Sequence, residues 1–335
     1  MSRRKRLSLL YSQRFLIKKL SIQSQSNNKS VFLFGPTAVG KTGLLCSFFS
    51  SSFEVVNADS VQVYRGLDIG SAKASEDEQR IIPHHLIDIL SPWENYSVAD
   101  FIRLGDEACL KIREKGKLPV ISGGTAFYFK HFIYGLSQAP QSDEETRREV
   151  KEWMEEVGKE ESYRFLKTVD PVSAQRININ DTYRVSRAIE VYKTSGKPLS
   201  SFALPDKPRD GVEPLVIGLK RDKKELDERI RLRVKIMFEQ GLVDEVDRLQ
   251  KEGADISWQS MQAIGYREFL SHPSGKRAKE LSKAELEEIS EQISMNSIHY
   301  AKRQMTFFRS FSDVHWMNPE DEAGIARLVK SFSEK

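Results

Sequence analysis

Eight consecutive residues combine the types and the spacing needed to bind a phosphate. They follow the pattern G-x-x-x-x-G-K-T, in which the glycines let the backbone curl until successive N–H groups converge on an anion. A lysine adds positive charge, and a threonine hydroxyl suits a metal ion. The pattern predicts a loop that holds a phosphate or pyrophosphate and consists of Gly35, Pro36, Thr37, Ala38, Val39, Gly40, Lys41 and Thr42.

The elements on either side of this loop have to be a strand and a helix. Residues 31–34 are apolar, as in a buried strand, and Leu44, Leu45 and Phe48 suit the face of a helix that packs on a sheet. This is the context in which the pattern binds phosphate. Its most general interpretation is a kinase or NTPase that acts on a small molecule.

Two further strand ends carry polar groups. A predicted strand over residues 53–58 leads to Asp59, and another over 117–122 leads to Gly123-Gly124-Thr125. Because ligand groups gather at the carboxyl ends of parallel strands, we expect Asp59 and Thr125 near the phosphate loop. A third strand is predicted over 83–90, where His84 and His85 lack metal-ligand spacing and are interpreted as structural or substrate-contacting.

The pattern of elements predicts an α/β fold with a P-loop NTPase-like parallel sheet flanked by helices. A helical insertion interrupts it, because strand–helix alternation gives way to helical periodicity near residue 142. A strand at 214–219, a helix that begins at Asp222 and a long helix from Lys283 to about Phe308 follow. The predicted divisions are a basic tail (1–29), the core (30–142 and 199–318), the helical insertion (143–198) and a C-terminal tail (319–335).

Composition excludes several classes of protein. The 335 residues are 39% hydrophobic and carry a net charge of +4. Two cysteines are too few for a disulfide framework, and no apolar run approaches transmembrane length, so we expect a soluble protein in a reducing compartment. Residues 1–29 are basic and free of acids. They are interpreted as a tail, with a transit peptide as the alternative.

Two helices carry positive charge in a pattern with two interpretations. Arg229, Arg231, Arg233 and Lys235 form either a solvated face or a face directed at phosphates. Residues 300–309 interleave basic and aromatic side chains, which either track a nucleic acid or turn their rings into the core.

A transfer reaction with pyrophosphate as leaving group suits these parts better than a kinase does. No apolar run ends in a hydrolase-type acidic pair, and the extra domain is too large for a simple kinase lid. Backbone N–H groups, Lys41, arginines and Mg²⁺ would stabilise the departing diphosphate. Asp59 would accept the proton of the incoming nucleophile.

Eight ordered motifs, which span residues 31 to about 316, closely resemble those of the tRNA dimethylallyltransferases, also called tRNA isopentenyltransferases. Val39, Ser71, Ala74 and Ala126-Phe127 depart from the usual family pattern, but none removes a group with an assigned chemical role. The matching segments are 35–42, 57–70, 84–88, 96–101, 123–125, 170–177, 261–267 and 301–309.

The resemblance implies transfer of a dimethylallyl group from dimethylallyl diphosphate to N6 of adenosine 37 in tRNA, with Mg²⁺. The loop would hold the diphosphate, with Thr42 near the metal. Asp59 would take the proton of the adenine amine, and Thr125 would orient that amine or the diphosphate. Arg233, or alternatively Arg229, would neutralise the diphosphate.

The resemblance also implies contacts with the tRNA anticodon stem-loop. It further implies a cytoplasmic, bacterial-type enzyme that works as a monomer and has no membrane as a partner. An RNA-binding protein that has lost catalysis is the remaining alternative, and the intact Lys41, Thr42, Asp59 and Thr125 argue against it. Besides Asp59 and Thr125, the implied tRNA contacts are Ser60, Val61, Gln62, Arg147, Gln175, Arg176, Ile177, Asn178, Ile179, Gln262, Gly265, Tyr266, Arg267, Lys302, Arg303 and Gln304.

Overall fold

The computed structural model describes residues 28–49, 51–202, 205 and 207–334. The interpretation of residues 1–27 as a tail or transit peptide lies outside the described residues. The chain forms two compact units: residues up to Ile133 together with those from Asp210 onward, and Tyr134–Arg209.

The first unit contains a parallel sheet, as the sequence predicts, but the sheet has six strands, and the strand at His315–Met317 was not predicted. The spatial order is β3-β2-β4-β1-β5-β6, so the strand order reverses at β1, which pairs with β4 on one side and β5 on the other. Ligand sites of open parallel sheets lie at such a switch point. The strands are β1 (Lys29–Phe34), β2 (Phe53–Asn57), β3 (His84–His85), β4 (Leu118–Gly123), β5 (Glu213–Leu219) and β6 (His315–Met317).

Three central strands explain the continuous apolar runs in the sequence. Every residue of β1, β2 and β4 is buried, because helices cover both faces of a parallel sheet. The register pairs Phe34 with Gly123 and Asn57 with Ser122. The segments after β1, β2 and β4 therefore leave the sheet at one edge.

The predicted third strand is wrong in length. Only His84 and His85 pair with β2, whereas a strand was expected over 83–90. Leu86 and Asp88 have φ angles of 63° and 54°, in the left-handed region that ends an extended strand. His84 Nδ1 lies 2.8 Å from the carbonyl of Ile82, and His85 Nε2 lies 2.8 Å from the carboxylate of Glu54, so both rings have structural partners.

Helix boundaries in the first unit follow the local signals of the sequence. Ser97 and Asp100 form a reciprocal capping box at the start of α3, and the long helix α11 has the predicted bounds. Helices α5 to α7 belong to the second unit, and α4 ends one residue beyond the first. The helices of the first unit are α1 (Lys41–Phe48), α2 (Glu76–Ile81), α3 (Val98–Glu114), α4 (Ala126–Tyr134), α8 (Lys223–Glu239), α9 (Leu242–Lys251), α10 (Arg267–Leu270), α11 (Lys283–Phe308) and α12 (Glu322–Glu334).

The prediction of a C-terminal tail over 319–335 is wrong for most of that range. Glu322–Glu334 forms α12, and its Ile325 and Val329 are buried in the main hydrophobic core together with Leu44 and Leu45 of α1. The spacing of these two residues by four places them on one face of the helix.

The second unit is helical, as predicted, but extends beyond the predicted 143–198. Outside that range, the carbonyl of Pro140 accepts a hydrogen bond from Arg187, and the backbone N–H of Ser200 donates to Asp170. Its helices are α5 (Glu144–Val169), α6 (Pro171–Arg176) and α7 (Thr182–Ser195), and its core consists of Val150, Leu166, Ala174, Val185, Ala188 and Ile189.

No helix in the described part of the chain is long and apolar enough to cross a membrane.

Candidate active site

The predicted phosphate loop connects β1 to α1. Gly40, which precedes the helix, has a φ angle of 113°, a conformation that favours glycine. A Cβ on Gly35 would lie 2.9 Å from the carbonyl oxygen of Leu219, so this position also excludes larger residues. The two glycines of the motif are therefore required by backbone geometry and by close approach.

Lys41 points back along the loop. Its Nζ donates to the carbonyl oxygens of Gly35 and Pro36, at 2.9 and 3.0 Å. Burial and the nearby charge of Arg233 together lower the pKa of Lys41 to about 7, although Asp59 acts in the opposite direction. An anion in the loop would stabilise the charged form, because opposite charge at short range favours it.

Arg233 is the arginine of α8 that shares this electrostatic environment. Its Nη1 donates to Thr37 Oγ1 at 2.9 Å, burial lowers its pKa, and the charge of Asp59 acts in the opposite direction. Arg229 lies one helical turn earlier and donates to the carbonyl oxygen of Ala38 at 2.9 Å. Both line the same cavity. The choice of Arg233 as the diphosphate-binding residue stays a prediction.

Arg221, a residue that the sequence did not single out, holds the loop from outside. Its Nε donates to the carbonyl oxygen of Val39 at 2.8 Å, and its Nη1 also pairs with Glu225 and Glu320. The side chain is almost completely buried. Arg221 therefore ties the phosphate loop to Glu225 of α8 and to Glu320.

Asp59 follows β2 and presents one oxygen to the protein. Asp59 Oδ1 accepts hydrogen bonds from the backbone N–H groups of Val61 and Gln62, at 2.9 and 3.4 Å. Oδ2 has no hydrogen-bond partner among the described residues. The carboxylate is thus oriented by one oxygen while the other is available to a ligand.

Thr125 joins the segments that follow β2 and β4. Its Oγ1 accepts a hydrogen bond from the backbone N–H of Ser60 at 3.0 Å and lies 3.3 Å from Ser60 Oγ. A Cβ on Gly123 would collide with the backbone of Ala58, so the two segments can touch only because this residue is glycine. The prediction that Asp59 and Thr125 meet at one edge is confirmed.

Gln304 links the phosphate loop to the segment after β4. Its Oε1 accepts a hydrogen bond from the N–H of Thr37 at 3.0 Å, and its Nε2 donates to the carbonyl oxygen of Gly124 at 2.7 Å. The side chain is buried. Gln304 was predicted as a tRNA contact; it lines the cavity described below, and its tRNA contact stays a prediction.

One cavity of about 620 Å³ is lined by Thr37, Ala38, Gly40, Lys41 and Thr42 of the loop and by Asp59, Arg229, Arg233 and Gln304. Thr125 and Arg221 do not line it. One part of its lining is polar and includes Lys41, Asp59 and Arg233. Another part is apolar, because α8 and α11 contribute aliphatic side chains. These are Ile230, Val234, Met237 and Ile293.

The residues predicted to contact tRNA divide into three groups in the first unit. Ser60, Val61, Gln62, Gln262, Arg267 and Arg303 line the cavity. Lys302 is exposed on α11. Gly265 and Tyr266 are buried, which contradicts contact through the Tyr266 side chain. Gly265 has a φ angle of 101° and packs beside the carbonyl oxygen of Gly70, so its role here is structural.

The remaining predicted tRNA contacts lie in the second unit. Arg147, Gln175, Arg176 and Asn178 are exposed, whereas Ile177 and Ile179 are half-buried. The buried carboxylate of Asp170 holds the start of α6 by accepting a hydrogen bond from the N–H of Ser173 at 2.9 Å. The exposed side chains of this segment therefore stand on a fixed backbone.

Glu245 is a buried carboxylate that sequence reasoning missed. It accepts hydrogen bonds from the N–H groups of Asp68, Ile69 and Gly70, at 2.9, 2.8 and 3.0 Å, and from the Tyr266 hydroxyl at 2.8 Å. Four donors saturate the carboxylate. It thereby fixes the segment from which Gly70 lines the cavity.

The available donors suit a magnesium ion. Thr42 lines the cavity, its hydroxyl has no protein partner in the described residues, and Asp59 Oδ2 faces the same space. Magnesium prefers oxygen and is commonly held by one or two side chains together with substrate phosphates. Among the described residues no group of three His, Cys, Asp or Glu could hold a metal ion by itself.

The fold and this site are those of a P-loop protein, and the geometry of the loop suits a phosphate compound. Its family is given by comparison with known proteins: the model of the IPP transferase family matches residues 62–311. A tRNA dimethylallyltransferase 2 of Geotalea uraniireducens is 40% identical over 316 residues, which are 93% of this chain and 99% of that protein. A tRNA dimethylallyltransferase of Bacillus cytotoxicus is 39% identical, over 94% of this chain and 98% of that one.

Solved structures agree with this match. The full-length tRNA isopentenylpyrophosphate transferase of Bacillus halodurans superposes with a TM-score of 0.63 at 35% identity, covering 92% of this chain and 98% of that one. A eukaryotic dimethylallyltransferase acting on tRNA gives a TM-score of 0.69 at 25% identity, covering 88% and 75%. The chain belongs to the IPP transferase family, the family of the tRNA dimethylallyltransferases.

Proposed function

We propose that this protein transfers a dimethylallyl group from dimethylallyl diphosphate to N6 of adenosine 37 in tRNA. The observation that carries the proposal is that Asp59 lines one cavity together with the cationic side chains of a phosphate loop, and that its Oδ2 has no hydrogen-bond partner among the described residues. In the reaction a bond forms between N6 and the first carbon of the dimethylallyl group. The bond from that carbon to the diphosphate oxygen breaks, and diphosphate leaves with the electron pair.

The phosphate loop binds and stabilises the leaving diphosphate. Its N–H groups and the start of α1 attract negative charge, and Lys41 and Arg233 add two cations. Both side chains are bonded to atoms of the loop itself, so they reach a bound diphosphate by small movements. Because the negative charge on the diphosphate grows as the carbon–oxygen bond breaks, these groups act most strongly in the transition state.

Asp59 receives the proton that N6 loses. The two backbone N–H groups on Oδ1 orient the carboxylate, and Oδ2 accepts the proton as the new carbon–nitrogen bond forms. Thr125 is held against Ser60 and orients the amine or the diphosphate. The aliphatic side chains of α8 and α11 in the cavity wall suit the five-carbon group.

A magnesium ion belongs to the same proposal. Thr42 would hold it together with the diphosphate oxygens, and it would supply positive charge that favours departure of the diphosphate.

The second substrate is the anticodon stem-loop of tRNA. Its loop bases are unpaired, so an adenine can leave the stack at low cost. The exposed Lys302 and Arg303 of α11, and Arg147 and Arg176 of the second unit, supply positive charge for phosphate contacts. We further propose that the enzyme works as a cytoplasmic monomer.

The test is direct transfer. The protein is incubated with labelled dimethylallyl diphosphate, Mg²⁺ and unmodified tRNA that has adenosine at position 37. The RNA is then digested and analysed for N6-dimethylallyladenosine. Product without ATP is expected. A folded protein that forms no product would refute the proposal, and a requirement for ATP would support a kinase instead.

A further inference from the structure

The exposed Trp93 and the half-buried Trp258 lie together on the surface of the first unit. Trp93 is 60% exposed, and its ring centroid is 5.9 Å from that of Trp258 in an edge-to-face arrangement. Ile256, close by in sequence, is 44% exposed. Large exposed aromatic side chains add nothing to the core, and clusters of exposed apolar groups commonly mark binding surfaces.

Hydrogen bonds hold the two segments that carry these rings. Ser260 Oγ donates to the carbonyl oxygen of Pro92 at 2.6 Å in a buried position. The Gln259 side chain accepts a hydrogen bond from the N–H of Tyr96 at 2.9 Å and donates to its carbonyl oxygen at 3.2 Å. The segments next to Trp93 and Trp258 are therefore tied to each other, and a partner that stacks on the rings loses little conformational entropy.

The pair is continuous with the wall of the active-site cavity. Trp258 directly precedes the short helical turn Gln259–Gln262, and both end residues of that turn line the cavity. A molecule that extends from the cavity over this turn meets the tryptophan rings next.

Charge at this surface is mixed. Arg65 is exposed in the segment after β2 and donates to the carbonyl oxygen of Ile89, and Arg248 is exposed on α9 and donates to the carbonyl oxygen of Gly66. Glu94 accepts a hydrogen bond from the N–H of Ser91 beside the tryptophans. With both signs present, the rings themselves offer the main attraction. A flat, uncharged partner such as a nucleobase fits them better than a phosphate does.

We propose that Trp93 and Trp258 form a stacking surface for an unpaired base of the RNA substrate, one that neighbours the base entering the cavity. This inference rests on the proposed function, because it assumes that the cavity receives a base from single-stranded RNA. Stacking on aromatic side chains tolerates any base, so the surface would add affinity without adding sequence preference.

The experiment measures RNA binding with a synthetic stem-loop that carries adenosine next to the anticodon. Trp93→Ala, which removes the more exposed ring, should weaken binding by about 5- to 150-fold, the range found for a lost base–aromatic stack. Trp258→Ala removes the ring that packs against Trp93 and should weaken binding in the same direction. The KM for dimethylallyl diphosphate should stay as in the unaltered protein. Leu110→Ala is the matched control, since Leu110 is 58% exposed on α3 and does not line the cavity.

Tryptophan fluorescence gives an independent readout that does not depend on activity. RNA should quench the emission, and Trp93→Phe with Trp258→Phe should remove most of that quenching while Trp153 and Trp316 still emit. Unchanged affinity in both alanine variants would overturn the inference. The inference would also be overturned if the alanine variants differed from the unaltered protein in oligomeric state, measured by sedimentation, but not in RNA affinity.

The two proposals can fail separately. If the unaltered protein binds the stem-loop but forms no prenylated product, the proposed function fails and the effect of the tryptophans on binding is still measured. If product forms and the alanine variants bind RNA as well as the unaltered protein does, only the stacking surface is refuted.

Discussion

Asp59→Asn tests the proton transfer at the centre of the proposed reaction. The amide of asparagine keeps an oxygen at the position of Oδ1, so it can still accept the hydrogen bonds from Val61 and Gln62. What it loses is the basic oxygen, Oδ2. A positioned general base commonly contributes about 10²- to 10⁴-fold in rate. We therefore expect kcat to fall by that factor, which raises the activation free energy by about 2.7–5.5 kcal/mol.

Binding and stability should respond differently from kcat. Exchanging a charged acceptor for a neutral one at two backbone hydrogen bonds costs about 1–2 kcal/mol in the free energy of unfolding. Removal of a negative charge near Lys41 and Arg233 strengthens the positive field of the loop. The KM for dimethylallyl diphosphate should accordingly stay constant or decrease.

The assay is single-turnover transfer of a labelled dimethylallyl group to tRNA, combined with thermal unfolding of each variant. Asp68→Asn is the control, because this exposed carboxylate pairs with Lys73 and does not line the cavity. Its partner Lys73 also pairs with Asp88, so the control variant should fold and transfer normally. A rate for Asp59→Asn within about fivefold of the unaltered protein would refute the assignment, since the expected loss starts near 10²-fold.

Three further predictions follow from buried polar groups. Gln304→Leu should lower kcat/KM for dimethylallyl diphosphate by roughly tenfold or more, because the N–H of Thr37 and the carbonyl of Gly124 lose their partner; steady-state kinetics measure this, and unchanged kinetics would contradict it. Glu245→Gln should lower the free energy of unfolding by about 2–3 kcal/mol, since an amide cannot accept four hydrogen bonds; urea unfolding measures the loss. Neighbouring cations lower the pKa of the buried Glu54 to about 2, so its stabilising contribution is complete above its ordinary pKa and is lost as the pH falls toward 2. Glu54→Gln should therefore reduce the dependence of the free energy of unfolding on pH between about 5 and 2. If this free energy changes equally with pH in both proteins, Glu54 contributes nothing to the pH dependence.

The sequence alone determined the parts of this protein that depend on local backbone geometry. The left-handed backbone at Gly40 and the capping boxes at Ser97 and Ser282, the second of which starts α11, involve residues a few positions apart. Gly35 was predictable from its place in the motif, although the carbonyl oxygen that excludes a side chain there belongs to the distant Leu219. The meeting of Asp59 and Thr125 was also predictable, because the carboxyl ends of parallel strands share one edge of a sheet.

Only the tertiary structure decided which polar side chains are buried together. Gln304 meets Thr37 across 267 positions, and Glu245 meets Gly70 across 175, so no local pattern reveals either bond. The same reason explains why Tyr266 was wrongly predicted to contact tRNA. Its motif is recognisable in the sequence, but the sequence does not show whether the tyrosine hydroxyl is buried against a carboxylate or exposed to solvent. Burial depends on contacts between residues that are distant in sequence.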